Sequence, residues 1–179
     1  MKGKILFQES QRFTGTWSWY LILGVSIWMT WLFGRGFYHQ IILGEPWGNN
    51  PAPDGVLISV SLFTMLITWG IFIVLTVGHL MIKIDAGTIL YSYYPIVKQK
   101  TLTVHDISKM IVKKYNPILE YGGWGYRWRG KKKALNVRGK WGLEIKLATG
   151  RTLMLGTQKP KELDQAIDQL KENWSREDG

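Results

Sequence analysis

Two stretches of this chain, residues 14–34 and 55–82, hold no Asp, Glu, Lys or Arg. A charge near the centre of a bilayer is costly, so an uncharged run of about 18 residues or more predicts a membrane span. The first run predicts a helix over residues 14–34, ~30 Å long, which matches one hydrocarbon thickness. Trp17, Trp19 and Tyr20 crowd its start, and Trp31, Phe33, Phe37 and Tyr38 its end. Amphipathic rings favour the headgroup level, so these read as two aromatic belts. Residues 35–54 predict a loop, because Glu45 to Asp54 is dense in Pro, Gly and Asn and cannot continue a helix. The second run is longer than a span needs. A helix is predicted over 55–78, after which Leu80, Ile82 and Ile84 alternate with Met81, Lys83 and Asp85, the period of a strand. Gly24, Ser26, Gly70 and Gly78 are candidates for close approach of the two helices.

Beyond residue 85 the pattern is mostly β. Strands are predicted over 88–93, 107–115, 120–129, 134–138, 141–147 and 152–155, with turn signals at Asn116-Pro117, Gly130, Gly139 and Thr149-Gly150. Short strands at such spacing predict a sandwich or barrel. The period then changes again. Pro160 can open a helix, and Leu163, Ala166, Ile167, Leu170 and Trp174 recur at three- and four-residue spacing, an apolar stripe on a polar helix. The expected fold is a membrane α-helical hairpin plus a mainly-β domain, a small sandwich or barrel of about seven strands capped by a C-terminal helix. Residues 1–13 form a tail in this reading, 14–34 and 55–78 the two spans, 35–54 the loop between them, and 79–179 the β domain.

Charge adds an orientation. The 179 residues carry a formal net charge of +10, and from residue 83 onward 19 Lys/Arg face 10 Asp/Glu. Such an excess suits an anionic partner surface, lipid headgroups or nucleic acid, and also serves solubility. The first 13 residues hold Lys2, Lys4 and Arg12, whereas the loop between the spans holds Arg35 and no Lys. The positive-inside rule then places both termini in the cytoplasm and the loop outside, in a multi-pass protein of the plasma (inner) membrane. The first run is too long for a signal-peptide core, and no small-x-small cleavage site follows it, so it is expected to be a retained anchor. Cysteine is absent, which excludes disulfides, thiolate metal sites and cysteine nucleophiles.

Three short stretches carry a resemblance: His105-Asp106-Ile107 before a strand, Gly122-Gly123-Trp124-Gly125-Tyr126-Arg127, and Leu155-Gly156-Thr157-Gln158-Lys159-Pro160-Lys161-Glu162-Leu163. With the two spans, they make the chain resemble bacterial membrane proteins of unassigned activity that carry a pleckstrin-homology-like (PH-like) domain. The likeness runs from about residue 80 to 170. It implies strands closed off by one C-terminal helix and a membrane address, and no particular activity. PH domains that bind phosphoinositides usually gather Lys and Arg around the first hairpin. Here residues 83–88 hold one Lys and one Asp, which argues against such a pocket there.

The candidate site is the run Trp-Gly-Tyr-Arg-Trp-Arg-Gly-Lys-Lys-Lys from Trp124 to Lys133. Extended, it puts Trp124, Tyr126 and Trp128 on one face and Arg127 and Arg129 on the other, with Lys131, Lys132 and Lys133 at the next turn. Rings beside cations suit a headgroup interface. The expected lipid- or anion-binding residues are therefore Arg127, Trp128, Arg129, Lys131, Lys132 and Lys133. A core face with a solvated Lys turn, or a protein partner, would produce the same pattern. Single-stranded nucleic acid is also bound by interleaved cations and rings, but a membrane tether argues against it. The glycines here miss both phosphate-loop spacings. His39 and His79 are expected near opposite faces of the bilayer, and His105-Asp106 lacks further ligands, so no metal site or cofactor is expected. Asp164 and Asp168 fall on the polar side of the closing helix, and no Gly-x-Ser-x-Gly elbow occurs. The chain is expected to be a non-enzymatic, membrane-anchored binding or scaffold protein, with membrane lipids and a protein partner or a second copy as ligands. The alternative is an accessory subunit of a transporter or envelope enzyme, docking through its helices.

Overall fold

The computed structural model describes residues 4–177. They form two compact units, one of Phe13–Val77 and one made from the segments up to Arg12 and from Gly78 onward.

The first unit is a helical hairpin. Helix α1, Trp17–Phe37, starts at the N-cap Thr16, whose hydroxyl accepts from the Trp19 amide, and continues as a π-helical turn over Tyr38–Ile42. Helix α2 spans Asp54–Val77. Both are long and apolar enough to cross a membrane. The first helix thus outruns its expected end at residue 34, and the connecting segment shortens to residues 43–53. Gly34 and Gly36 resemble a helix stop in the sequence. In the fold, Gly36 is instead a contact point inside the helix: a Cβ there would lie 2.7 Å from the Trp47 ring. Only glycine lets that indole rest on the helix backbone.

Between the helices the contacts mix one aromatic pair, Trp19 and Phe72 with ring centres 5.3 Å apart, with polar and small residues. The Trp19 indole N–H donates to Thr76 Oγ1 at 3.0 Å, and the Trp69 N–H to Thr30 Oγ1 at 3.0 Å. Ser26 and Ser61 are buried, each with its hydroxyl bonded to the carbonyl four residues back. Of the glycines expected at the seam, Gly24 and Gly70 have nothing within 4 Å of a built Cβ, so serines take that place.

The second unit holds two sheets and two helices. Its first sheet is the antiparallel meander β1 (Ile5–Arg12), β2 (His79–Asp85), β3 (Ile89–Tyr94) and β4 (Val97–Leu102). The second has the order β5 (Ile107–Lys114), β8 (Trp141–Leu147), β9 (Thr152–Thr157), β7 (Lys132–Asn136), β6 (Gly125–Arg129). All its pairs are antiparallel except β7–β9. A short helix α3, Pro117–Tyr121, follows β5, and α4, Pro160–Glu177, closes the chain. Among the described residues there are nine strands rather than about seven.

Three elements correct the sequence reading. The expected tail, residues 1–13, is a strand from Ile5 onward, paired to β2 with Arg12 opposite His79; residues 1–3 lie outside the described residues. It hid because its inward positions are Phe7, Glu9 and Gln11, two of them polar. Hydrogen bonds hold these: both Glu9 carboxylate oxygens accept, one from the Thr157 hydroxyl at 2.6 Å and one from the Gln158 amide at 2.9 Å. The Gln11 amide group donates to the Gly156 carbonyl at 2.7 Å. Strand β4 hid because only its ends, Val97 and Leu102, are buried, as an edge strand allows. The strand expected over residues 120–129 begins only at Gly125, because Asn116 caps α3 by accepting from the Ile118 and Leu119 amides.

The core lies between the sheets. Leu80, Ile82, Ile84, Ile89, Tyr91 and Tyr93 on one side meet Leu135, Leu143, Ile145, Leu153 and Leu155 on the other, all buried. Helix α4 packs on β1 and β2 of one sheet and on β5 and β8 of the other, burying Leu163, Ala166, Ile167, Leu170 and Trp174, the stripe expected from its spacing. The outer face of the second sheet has its own small core of Tyr115, Tyr121, Ala134 and Met154. Gly142 and Gly156 are cross-strand partners and leave room there: a Cβ on Gly142 would lie 3.2 Å from the Tyr115 ring. Burial pushes the Tyr121 hydroxyl up to about 12, helped by Glu144, Glu120 and Tyr115 nearby.

Candidate functional site

The run from Gly125 to Lys133 folds as the β6–β7 ribbon. Arg129 pairs with Lys132, so the loop is the two residues Gly130 and Lys131. Gly130 has φ 60°, the left-handed value that the first loop position of a type II′ turn requires. Sequence alternation then divides the six expected site residues.

One group lines a cleft of about 240 Å³. Tyr126 and Trp128 from β6, Gly130 and Lys131 from the turn, and Lys133 from β7 form one wall. Arg151 and Thr152 border it beside Leu147 and Leu153, and Tyr91 and Lys100 complete it from β3 and β4. The cleft therefore lies where the β4 edge of one sheet faces the β6 edge of the other, while α4 occupies the side of β1 and β5. Lys133 Nζ sits 4.7 Å from the centre of the Tyr126 ring, a cation–π contact that holds the ammonium at the wall. Tyr91 and Lys100 are direct cross-strand partners. Tyr91 is 5% exposed, and burial raises its pKa, so its hydroxyl stays a neutral donor. Among the described residues that hydroxyl makes no hydrogen bond, and no ion pair engages Lys100, Lys131, Lys133 or Arg151. Among the described residues no Asp or Glu lines the cleft.

The other group faces away. Arg127 Nε donates to the Trp124 carbonyl at 3.0 Å, and its charge lies near Tyr93, whose pKa burial nonetheless raises. Arg129 donates to the Leu119 carbonyl of α3 at 3.3 Å. Arg129, Lys131 and Lys132 share a shallow depression with Leu119 and Glu120. Ile118 and Leu119 beside it are 58% and 74% exposed, and Trp128 on the ribbon is 74% exposed. Trp124 does not join Tyr126 and Trp128. Gly123 at φ 122° and Gly125 at φ 108° turn the chain, and the Trp124 indole donates to the Gly139 carbonyl at 3.0 Å.

Sequence reasoning missed Lys100, Arg151, Tyr91 and Thr152 as cleft residues. They lie on a strand it did not see, beside a tight turn, and inside the core pattern; only topology gathers them. The Asn116-Pro117 step, a cap followed by proline at the first helical position, was the available signal for α3 and its two exposed apolar residues. His105 and Asp106 do not form a site: Asp106 caps its own turn, accepting from the Thr103 amide at 2.8 Å and hydroxyl at 2.9 Å. Among the described residues no three His, Cys, Asp or Glu side chains are grouped to hold a metal ion. No known protein family matches the chain, and no curated protein matches it.

Proposed function

We propose that this protein is a non-enzymatic membrane-anchored binding module. In this reading the hairpin spans the plasma (inner) membrane, and the β unit, a PH-like domain, contacts anionic lipid on the cytoplasmic side. The closing position of α4 supports the PH-like reading. The β1–β2 pairing supports a two-span anchor, because two strands bonded from Arg12–His79 to Ile5–Asp85 must lie on the same side of any bilayer the hairpin crosses. The Lys/Arg balance of that unit supports the cytoplasmic side.

The observation that carries the lipid reading is the ribbon end: exposed Leu119 beside Arg129, Lys131 and Lys132, with exposed Ile118 on the same short helix and exposed Trp128 on the other face of the ribbon. Apolar groups gain by entering the acyl boundary, and each cation near an anionic surface contributes about 1 kcal/mol. The test requires an intact β unit. A fragment starting at residue 83 would lack β1 and half of β2, so the chain to use joins Arg12 to His79 by a short turn. Co-sedimentation should show binding to phosphatidylserine-containing vesicles, little binding to phosphatidylcholine, and release by salt, since exposed charges are screened within about 10 Å. Arg129→Gln, Lys131→Gln and Lys132→Gln together should weaken binding roughly tenfold or more. Equal binding to neutral vesicles, or by the triple variant, would overturn the reading.

A further inference from the structure

We propose that the cleft between the β4 edge and the β6–β7 ribbon is a binding site for a phosphomonoester group, carried by a lipid headgroup or by a small soluble ester. Four cations converge there from three separate parts of the chain: Lys100 from β4, Lys131 and Lys133 from the ribbon, and Arg151 from the start of β9. Like charges gathered along one concave wall repel one another, and among the described residues no acid in the lining offsets them. An anion of charge near −2 does, and a phosphomonoester carries about that at neutral pH. Its oxygens would take charge-assisted bonds from the lysines and a forked pair from Arg151. Tyr91 also lines the cleft, and its hydroxyl, held neutral because burial of the ring raises its pKa, is a further donor for the anion. Tyr126, Trp128, Leu147 and Leu153 supply an apolar rim for the carbon part of the ester. At about 240 Å³ the cleft lies below the ~300–1,000 Å³ of drug-sized pockets, so it suits a headgroup-sized ligand.

The site is distinct from the phosphoinositide position that the first hairpin would provide. That turn holds Asp85, whose carboxylate accepts from the Gly87 and Thr88 amides and the Thr88 hydroxyl, and it carries no cation cluster. The proposal deepens the anion-binding reading of the ribbon and rests on it. The two fail separately, because Lys100 and Arg151 belong to the cleft alone, and Arg129 and Lys132 to the ribbon end alone.

The test uses the full chain in two arms. In phosphatidylcholine nanodiscs, glycerol 3-phosphate is titrated by calorimetry, with glycerol as the control. In parallel, lipid retained by the detergent-purified chain is scored by mass spectrometry for phosphatidic acid over phosphatidylcholine. Saturable glycerol 3-phosphate binding, or enrichment of phosphatidic acid, supports the site if Lys100→Gln with Arg151→Gln weakens it about tenfold, as loss of two charge-assisted contacts implies. The first arm identifies a soluble ester and the second a headgroup. Arg129→Gln with Lys132→Gln should leave glycerol 3-phosphate binding unchanged. Lys100→Arg, which keeps the charge, should retain binding and guards against a folding defect. No signal in either arm, or equal signal from the Lys100/Arg151 variant, overturns the proposal whatever the vesicle result.

Discussion

Helix α2 and strand β9 are both strongly apolar, and they dispose of that surface in opposite ways. Along β9, Leu153, Met154 and Leu155 are at most 2% exposed, because one face meets the other sheet and the next face meets Tyr115 and Tyr121. Along α2, Leu66 is 73% and Phe63 65% exposed, and the buried positions in the hairpin include Ser26, Ser61 and Gly36. In water the second arrangement would be prohibitive, since each large apolar side chain left exposed forgoes about 1.5–3 kcal/mol. In lipid it is the expected one: outward side chains need no partner, and the helices meet through small and hydrogen-bonding residues. The two units thus dispose of apolar surface as two different solvents would favour, and the boundaries between them fall after Arg12 and before Gly78, next to the cross-strand pair Arg12–His79.

The most severe way to break this comparison is to remove one solvent's half. Replacing residues 13–78 by Asn-Gly joins Arg12 directly to His79, which are already partners, through a favoured two-residue hairpin turn. The chain should move wholly from the membrane fraction to the soluble one and still melt as a cooperative β unit by circular dichroism. An aggregated or unfolded product would show that the β unit depends on the hairpin.

A matched pair of substitutions sharpens the same point. Ile167→Asp puts a charge against the sheets and should lower the stability of the β unit by about 4 kcal/mol. Leu66→Asp should leave its melting unchanged and instead oppose membrane insertion by about 3 kcal/mol, seen as a rise in the uninserted fraction. If Leu66→Asp lowers the melting temperature or Ile167→Asp does not, the division between the units is wrong.

The smallest expected effect concerns pH. Burial raises the Asp85 pKa, but the Thr88 hydroxyl and the Gly87 and Thr88 amides, with Lys83, outweigh it, so the net shift is downward. A carboxyl depressed on folding adds stability above its unfolded pKa of about 3.9 and loses it as pH falls through the lower, folded value. Asp85→Asn should therefore flatten the acid limb of the stability profile while costing about 1 kcal/mol near neutrality. An unchanged acid limb would show that the turn does not hold the charge.

Whatever announced itself by periodicity was legible in the sequence. The two uncharged runs, the α4 stripe and the alternation of Leu80, Ile82 and Ile84 each reappear as elements in the structure. What escaped was held by something other than apolar pattern. Strand β1 carries Glu9 and Gln11 inward and finds its partner more than 60 residues away; β4 buries only its ends. The cleft was half legible. Trp128, Lys131 and Lys133 stand together in the chain, but Lys100 and Arg151 join them only through the order of strands, which no local pattern encodes.

The position of β1 also sets an order of events during synthesis. This strand leaves the ribosome before either helix, yet its partner β2 follows the whole hairpin. Until both helices and β2 have been made, β1 must wait unpaired, with an open edge and a buried-type Phe7 exposed. The β unit can therefore complete its first sheet only after the whole hairpin has been synthesised. A ligand that recognises the finished unit would in effect recognise chains whose hairpin is complete, and a chain stalled within the hairpin would offer proteases and chaperones a dangling strand.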